Sequence, residues 1–459
     1  MKNYELKHFK EYNDINYEYL YFLYTHHTKE YKKRFDSVLR IAFQKCKSDY
    51  NLAILTYINE YQESFFYHCI NEPSFIFWIN GLEDLLLDYR NIEPNTNFTK
   101  SCLNELDISN EEHIDFFIAQ ANKFIASHAS KYNKIFSYPI EIMSNWIPGQ
   151  DYFYPNLKYL KINKIKNGKV ISNQDLEGNK QLVPFFILND NSTRFQIHNF
   201  DIFFNFDSIE RWRKISDINV LQRSSIKIKE CLLLIERIFP GFNNQVELLI
   251  KHFIPISTDG IIETQSGTYS GLFGSIYLTY TENPFFLAEM IIHEFCHHKL
   301  FLLEEVHPLF DDENYSHVHY SPLRNELRTQ QGVFHALYVT SEILKFWSRA
   351  FVSIKDEKLK EIAHRRIWTT IYQIKYGSID LMQLSKLSQA GKDILNVIHT
   401  EALDLEKKFL KIDESSKPFY TELKINMNLW NLPILESILV HRKETWAKAD
   451  SKFNKPNNL

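Results

Sequence analysis

Two histidines one helical turn apart form the first candidate site. The segment from Ile291 to Leu300 reads IIHEFCHHKL. On a helix, residues four apart project about 40° from one another, so His293 and His297 can aim their imidazoles at one divalent ion. Glu294 projects about 100° from His293 and can reach a metal-bound water or support a ligand. The spacing predicts a metal-binding helix, and hydrolysis by zinc is the chemistry that HExxH alone suggests.

A metal centre needs a third protein ligand, which must come from further along the chain. The metzincin continuation requires Gly and His where this chain has Leu300 and Leu303, so that class of protease is excluded. A zinc peptidase could instead take a carboxylate from a following segment. Glu326 is the nearest such residue, because Glu304 and Glu305 are expected to lie too close to the motif on the same helix.

Three histidines compete with Glu326 for that position. His335 follows Gly332 by three residues, near the start of the next predicted helix. A lone helical histidine is more often an ordinary core or boundary residue, and this alternative stays open. His317 and His319 alternate in the segment YSHVHY, and we expect them to be surface loop residues.

Arg324 and Arg328 lie between that loop and His335. With a spacing of four residues, they are predicted to occupy the solvated start of a helix and to pair with Glu326 or Asp311. Alternatively they form a carboxylate clamp, because a guanidinium binds a carboxylate through two parallel hydrogen bonds. An enzyme with an acidic cosubstrate needs such a clamp more than a hydrolase does.

The elements that must position these residues are mostly helical. Apolar residues recur at three- and four-residue spacing from Tyr4 to about Tyr132, whereas short β-prone runs separated by turns fill about 135–206. Helical spacing returns at Ser208 and is interrupted at Pro240-Gly241-Phe242. The fold class is therefore predicted as α+β, predominantly helical, with a small strand-rich region before the metal-binding helix.

A strand over 271–280 is predicted to lead directly into that helix. Asn283 suits the N-cap and Pro284 the first helical position, and the helix is expected to end near Glu305. A polar loop should then run from His307 to about Pro322. Further helices are predicted around GVFHALYV, up to about Lys411 and again at about 430–447. We divide the chain into an N-terminal region (1–207), a catalytic core (208–353) and a C-terminal helical region (354–459).

Composition narrows the classes of partner. The 53 basic and 57 acidic residues are mixed along the chain and sum to a net charge of −4, so nucleic acid is not expected as a partner. The five cysteines are scattered without a CxxC pair, and we expect them to be reduced thiols. The charged N-terminus and the absence of any run of about 20 apolar residues predict a cytoplasmic protein without a membrane partner.

The segments LAEMIIHEFCHHKLFLL and HYSPLRNELRTQQGVFHALYV together resemble the HExxH-motif-containing peptide modification proteins, which accompany ribosomally made, post-translationally modified peptides. The resemblance covers about 257–338 and follows a specific order: strand, HExxH helix, YSPxR, a second Arg and GxxHA. Two positions depart from the family pattern, since Leu323 replaces an aromatic residue and Thr329 a proline. The first 200 residues contribute nothing to the resemblance.

This resemblance implies an iron(II)- and 2-oxoglutarate-dependent dioxygenase that hydroxylates a side-chain Cβ of a precursor peptide. It also implies that His293, His297 and His335 ligate iron, and that Arg324 or Arg328 binds the distal carboxylate of 2-oxoglutarate. Glu294 would orient a ligand or a bound water.

Two other hypotheses remain from the residues alone. One is a zinc metallopeptidase with Glu294 as general base. The other is a non-catalytic protein whose aromatic-rich N-terminal half binds a peptide.

Overall fold

The structure is a computed structural model of the 459-residue chain. The described residues run from 17 to 412, except for the segments 47, 88–112, 136–139, 143–145, 149–151, 154–159, 167–168, 172–179, 189–193, 198–211, 216, 259–264, 312–317 and 324–325. The helix predicted at about 430–447 lies outside these residues.

The chain divides into two compact units. One comprises Tyr21–His298, and the other combines Met1–Leu20 with Lys299–Leu459. This division does not test the three sequence regions proposed above, which stay a prediction.

Six helices open the described chain and pack around aromatic side chains. Phe35, Phe65, Phe66, Phe75 and Trp78 are almost completely buried and contact one another in stacked, tilted or edge-on arrangements. Such ring pairs stabilise a core beyond the area that they bury. The helices are α1 (Tyr17–Lys45), α2 (Asp49–Glu60), α3 (Gln62–Cys69), α4 (Pro73–Leu87), α5 (His113–Gln120) and α6 (Asn122–Lys131).

Short strands follow, as the turn-separated β-prone runs predict. The strands are β1 (Ile140–Ile142), β2 (Tyr152–Phe153), β3 (Leu160–Ile162), β4 (Lys164–Lys166), β5 (Lys169–Ile171), β6 (Gln181–Leu182), β7 (Phe185–Ile187) and β8 (Arg194–Ile197). Three antiparallel pairs form among the first six: β1 with β3, β2 with β6, and β4 with β5.

The Tyr21–His298 unit contains a mixed sheet. Its order is β11-β12-β10-β8-β7, built on β10 (His252–Thr258), β11 (Ser266–Gly267) and β12 (Ser275–Thr279). Strands β8 and β12 pair with β10 in parallel, whereas β11 pairs with β12 in antiparallel register. All five residues of β12 are buried, the pattern of a strand covered on both faces.

Strand β9 (Trp212–Lys214) corrects one sequence prediction. Helical spacing was expected to resume at Ser208, but residues 212–214 pair antiparallel with the end of β10. The register joins Ile256 to Lys214, a long-range contact that local spacing does not reveal.

Helix α7 (Ile218–Ile238) begins after β9, and α8 (Phe242–Leu249) follows it. The break predicted at Pro240-Gly241-Phe242 is confirmed. Gly241 adopts a φ of 89°, which favours glycine. The Glu236 carboxylate accepts hydrogen bonds from the backbone N–H groups of Gly241 (2.7 Å) and Asn243 (2.8 Å), which fixes the turn between the two helices.

Helix α9 (Pro284–Val306) contains the HExxH segment and begins where the sequence predicts. Asn283 Oδ1 accepts a hydrogen bond from the Phe285 N–H at 3.0 Å, as an N-cap side chain does. The division between the two compact units falls within this helix, after His298.

The remaining described chain consists of a hairpin and three long helices. These elements are β13 (Val318–Ser321), β14 (Glu326–Thr329), α10 (Gln330–Ser353), α11 (Glu357–Leu384) and α12 (Gln389–Ile412). Helices α10 and α11 approach closely at Gly377, where an added Cβ would lie 2.7 Å from Leu337. Lys345 on α10 forms ion pairs with Glu342 (2.8 Å) and with Glu401 on α12 (3.2 Å).

The hairpin corrects a second prediction. A polar loop to about Pro322 followed by a helix start was expected, but β13 and β14 pair antiparallel from Val318↔Thr329 to Ser321↔Glu326. Thr329 then caps α10 by accepting a hydrogen bond from the Gly332 N–H at 3.1 Å.

Two other expectations concern thiols and membranes. The described cysteines Cys46, Cys69, Cys231 and Cys296 are free thiols, as predicted, and Cys102 lies outside the described residues. Of the helices that the structure describes, none combines the length and apolar content needed to cross a bilayer.

Candidate functional site

Helix α9 is buried on almost every side where it carries the motif. Between Leu287 and His298, the side chains that are not buried are Glu289, His293 and His297. They recur every fourth residue, so they share one face of the helix. This accessible stripe within a buried helix is the first structural feature that separates the two motif histidines from ordinary core residues.

The two imidazoles of the motif converge. The Nε2 atoms of His293 and His297 lie 3.3 Å apart, and the ring centroids are separated by 5.0 Å. Two nitrogens that each bind one ion at about 2.1 Å must lie roughly 3.0–3.4 Å apart, for angles between octahedral and tetrahedral. The donor pair therefore fits a divalent metal, and imidazole is a ligand suited to both iron and zinc.

Glu294 lies beside this pair and is held by a residue of strand β11. Its side chain is only 3% exposed, and Oε1 lies 3.9 Å from His293 Nε2. Ser266 on β11 donates its hydroxyl hydrogen to Glu294 Oε1 at 2.6 Å. This hydrogen bond fixes the carboxylate in the wall next to the histidines.

His298, the third histidine of the segment, belongs to the core. Its Nε2 lies 2.7 Å from Thr268 Oγ1 and 3.0 Å from the Ser275 carbonyl oxygen. Complete burial lowers the pKa of His298 to about 4, so the ring is neutral near pH 7. Its ring nitrogens are engaged by the sheet, which makes His298 a packing residue.

His335 is positioned by a carboxylate. Its Nε2–H donates to Glu304 Oε1 at 3.0 Å, and Gln331 Nε2 donates to the same oxygen at 3.3 Å. A metal-binding histidine commonly donates its second ring nitrogen to a carboxylate, which fixes the tautomer and the ring orientation. His335 in this tautomer has Nδ1 as its lone-pair nitrogen.

The hairpin holds the other candidates. Arg328 lies on β14 opposite His319 on β13, with an exposed side chain. His319 is fully buried, so its expected place in a surface loop is wrong. Glu326 is the first residue of β14, whereas Arg324 and His317 lie outside the described residues.

Within the described part of the chain, no three His, Cys, Asp or Glu side chains form a group that could hold a metal ion. The structure thus brings His293 and His297 together, with Glu294 beside them, and pairs His335 with Glu304. Sequence reasoning missed Ser266 and did not foresee the role of Glu304. No motif marks Ser266, but Glu304 follows His297 by seven residues, a spacing that keeps both on one helix face.

A second histidine pair lies among the N-terminal helices. The Tyr57 hydroxyl oxygen lies 2.9 Å from His128 Nδ1, and Ser64 Oγ lies 3.0 Å from its Nε2. His68 Nε2 lies 2.8 Å from Ser127 Oγ, and the two histidine rings are 5.7 Å apart. Burial lowers the pKa of each histidine to about 4. Hydroxyl partners engage both rings, as in a structural hydrogen-bond network.

Comparison with known proteins assigns no family. No family model matches the chain, and no curated protein matches it at a significant level.

Proposed function

We propose that this protein is an iron(II)- and 2-oxoglutarate-dependent hydroxylase that modifies a side chain of a ribosomally synthesised precursor peptide. The observation that carries the proposal is the convergence of His293 and His297 on the accessible stripe of an otherwise buried helical segment, Leu287–His298. The resemblance of residues 257–338 to HExxH-type peptide modification proteins supplies the choice of reaction.

In this proposal His293, His297 and His335 hold iron, and Arg324 or Arg328 binds the distal carboxylate of 2-oxoglutarate. When bound, iron and 2-oxoglutarate supply the oxidising chemistry: one oxygen atom of O₂ enters the substrate C–H bond, and the other enters succinate as CO₂ is lost. The imidazoles contribute no charge, so the 2-oxo acid and the protein carboxylates balance the metal.

Glu294 acts as a positioning residue in this proposal. Its carboxylate is buried and accepts the Ser266 hydroxyl hydrogen, while its Oε1 faces His293 Nε2 across 3.9 Å. At that distance the carboxylate is too far for a hydrogen bond to the nitrogen that would bind the metal, and it is placed to orient a water bound beside it. Ser266 in turn prevents the carboxylate from swinging away.

Glu304 has the corresponding role for His335. By accepting the Nε2–H hydrogen, it leaves Nδ1 as the nitrogen that can bind a metal. The Gln331 amide also donates to this carboxylate. His335 is thus a histidine prepared as a ligand by its partner, which supports its place in the proposed set.

The second candidate is a zinc metallopeptidase with Glu294 as general base. The observation in its favour is the position of Glu294 within 3.9 Å of His293 Nε2, where a base could meet a metal-bound water. The burial of Glu294 and its bond to Ser266 favour the positioning role instead. Glu326 would supply the carboxylate ligand of this alternative.

One experiment separates the two candidates. The full chain, purified without oxygen, is loaded with iron(II) and 2-oxoglutarate, and succinate formation is measured with and without a precursor peptide encoded beside its gene. We expect succinate and a peptide heavier by one oxygen atom. Peptide cleavage that depends on zinc, with no consumption of 2-oxoglutarate, would contradict the proposal.

Variants of the third ligand make the test sharper. His335→Ala should abolish iron binding, whereas Glu326→Ala should leave it intact. Glu305→Ala provides a matched control, since Glu305 is an exposed residue next to Glu304 on the same helix. The reverse ranking of His335→Ala and Glu326→Ala would favour the zinc peptidase.

A further inference from the structure

Strand β11 lies alongside the motif helix. Ser266 Oγ contacts Glu294 at 2.6 Å, and Thr268 Oγ1 contacts His298 at 2.7 Å. Two residues of strand advance about 6.6 Å, and four residues of helix advance about 6 Å. Because these rises match, residues 266–268 run beside residues 294–298 in the same direction, with alternate side chains directed at the helix.

The same strand forms one end of the mixed sheet. Its partner on one side is β12, through Ser266↔Leu278 and Gly267↔Tyr277. In the order of the described strands, nothing pairs with its other side. A free strand edge offers unpaired N–H and C=O groups to another extended chain.

The ladder pattern shows which residue offers those groups. The Thr279 N–H donates to the Gln265 carbonyl oxygen at 2.8 Å, so Gln265 directs its carbonyl group towards β12. Hydrogen-bonded and non-hydrogen-bonded pairs alternate in an antiparallel ladder. Ser266 is therefore in a non-hydrogen-bonded pair with Leu278, and its backbone N–H and C=O point away from β12, to the edge that no described strand occupies.

We propose that an extended segment of the substrate peptide adds to the sheet along β11 by pairing with the outward backbone N–H and C=O of Ser266. This inference rests on the proposed function for the peptide nature of the substrate. Strand addition recognises the peptide backbone, and side chains of the added strand alternate between the two faces of the sheet. One face of the added strand is then the helix side, next to Glu294 and the accessible stripe of His293 and His297.

The geometry has a consequence for substrate choice. Backbone pairing with Ser266 fixes the register of the peptide against Glu294, which follows His293 directly in α9. The side chain to be modified is then selected by its position in the strand. The enzyme should tolerate sequence changes at neighbouring positions on the opposite face of that strand.

Peptide binding tests this proposal independently of any reaction. Linear peptides of about twelve residues are selected from a display library against the full chain in excess cobalt(II), and each binder is resynthesised with one backbone nitrogen methylated at a time. Strand addition at Ser266 predicts that methylating the one peptide nitrogen that donates to the Ser266 carbonyl oxygen weakens binding by about tenfold, whereas methylating its two neighbours has little effect. Absence of any binder, or equal tolerance at all positions, overturns the proposal.

A pair of variants locates the peptide on the protein. Ser266→Pro removes the outward N–H while keeping the sheet bonds of Gln265 and Gly267, and should weaken binding of the selected peptide by about tenfold. Ser266→Ala keeps the N–H and should bind the peptide normally. If Ser266→Pro binds as the parent does, the proposal is wrong; circular dichroism verifies that it folds.

The outcomes also separate this inference from the proposed function. Peptide binding at β11 without any 2-oxoglutarate turnover would reject the hydroxylase and retain the docking edge. Hydroxylation of a peptide whose methylation scan shows no sensitive nitrogen would reject the docking edge and retain the hydroxylase.

Discussion

Two histidine pairs lie in the same compact unit, and their ring nitrogens meet different partners. His293 and His297 direct Nε2 atoms at each other across 3.3 Å on an accessible helix face. His68 and His128 direct their Nε2 atoms at serine hydroxyls instead. Two imidazole nitrogens at such a distance can share at most one proton, whereas a metal ion uses both lone pairs. The partner of each ring nitrogen distinguishes the pair that we propose as metal ligands, called the ligand pair below, from the structural pair.

Replacing one histidine of each pair should give the largest difference in metal binding between the two pairs. His297→Ala is expected to weaken divalent metal binding by more than about 100-fold, because even residues behind the ligands contribute up to that factor. His68→Ala should leave metal binding unchanged. Titration calorimetry with cobalt(II) measures both variants, and activity should disappear only in the first. Equal metal affinity in the two variants would remove the distinction between the pairs.

The pH dependence of stability should come from the structural pair. Burial lowers the pKa of His128 from 6.5 to about 4, so the unfolded chain binds a proton in this range and the folded chain does not. Stability is fully present above pH 6.5 and is lost as the pH falls towards 4. The loss is on the order of 3 kcal/mol for His128, and smaller for the partly exposed His68.

Urea unfolding at several pH values tests this expectation. The control is His128→Gln, which retains hydrogen-bonding groups but does not titrate. The difference in unfolding free energy between the parent and this variant should change between pH 6.5 and 4 and stay flat above pH 7. A constant difference across the whole range would show that His128 does not titrate in the folded protein as described.

The sequence predicts the ligand pair better than its surroundings because the pair is local. Asn283, Pro284 and the apolar spacing that follows are sufficient to place α9, and the four-residue spacing then brings His293 and His297 together. Ser266 is 28 residues from Glu294 and carries no signature. Its contact depends on the position of β11 in the sheet, which is a tertiary property.

The hairpin and β9 were missed for a related reason. In β13 the buried residues His319 and Ser321 are polar, so apolar spacing does not mark the buried face of this strand. The spacing of Arg324 and Arg328 suits a helix as well as a loop, but Arg328 lies on a strand. Strand β9 exists through pairing with β10. Local periodicity identifies helices and strands whose apolar residues all lie on one buried face. It misses strands that form only because they pair with a distant segment.

The ligand pair should also depend on the residues behind it. Ser266→Ala releases the Glu294 carboxylate and is expected to weaken metal binding by about tenfold, the lower range for such supporting residues. Ser266→Thr keeps a hydroxyl and should restore most of the affinity. Cobalt(II) titration of the two variants measures the effect. Identical weakening in both would indicate a general disturbance of β11 and would count against a positioning role for the hydroxyl.

The corresponding serine of the structural pair should give the smallest effect. Ser127→Ala removes the hydroxyl 2.8 Å from His68 Nε2 in a largely buried site, so the ring loses one hydrogen-bond partner. The expected cost is about 1 kcal/mol of unfolding free energy, with no change in metal affinity. Urea unfolding and cobalt(II) titration are applied to both Ser127→Ala and Ser266→Ala. If the two pairs differ as described, Ser127→Ala lowers the unfolding free energy and Ser266→Ala lowers the metal affinity. If Ser127→Ala weakened metal binding as much as Ser266→Ala, hydroxyl partners would no longer separate structural histidines from ligands in this protein.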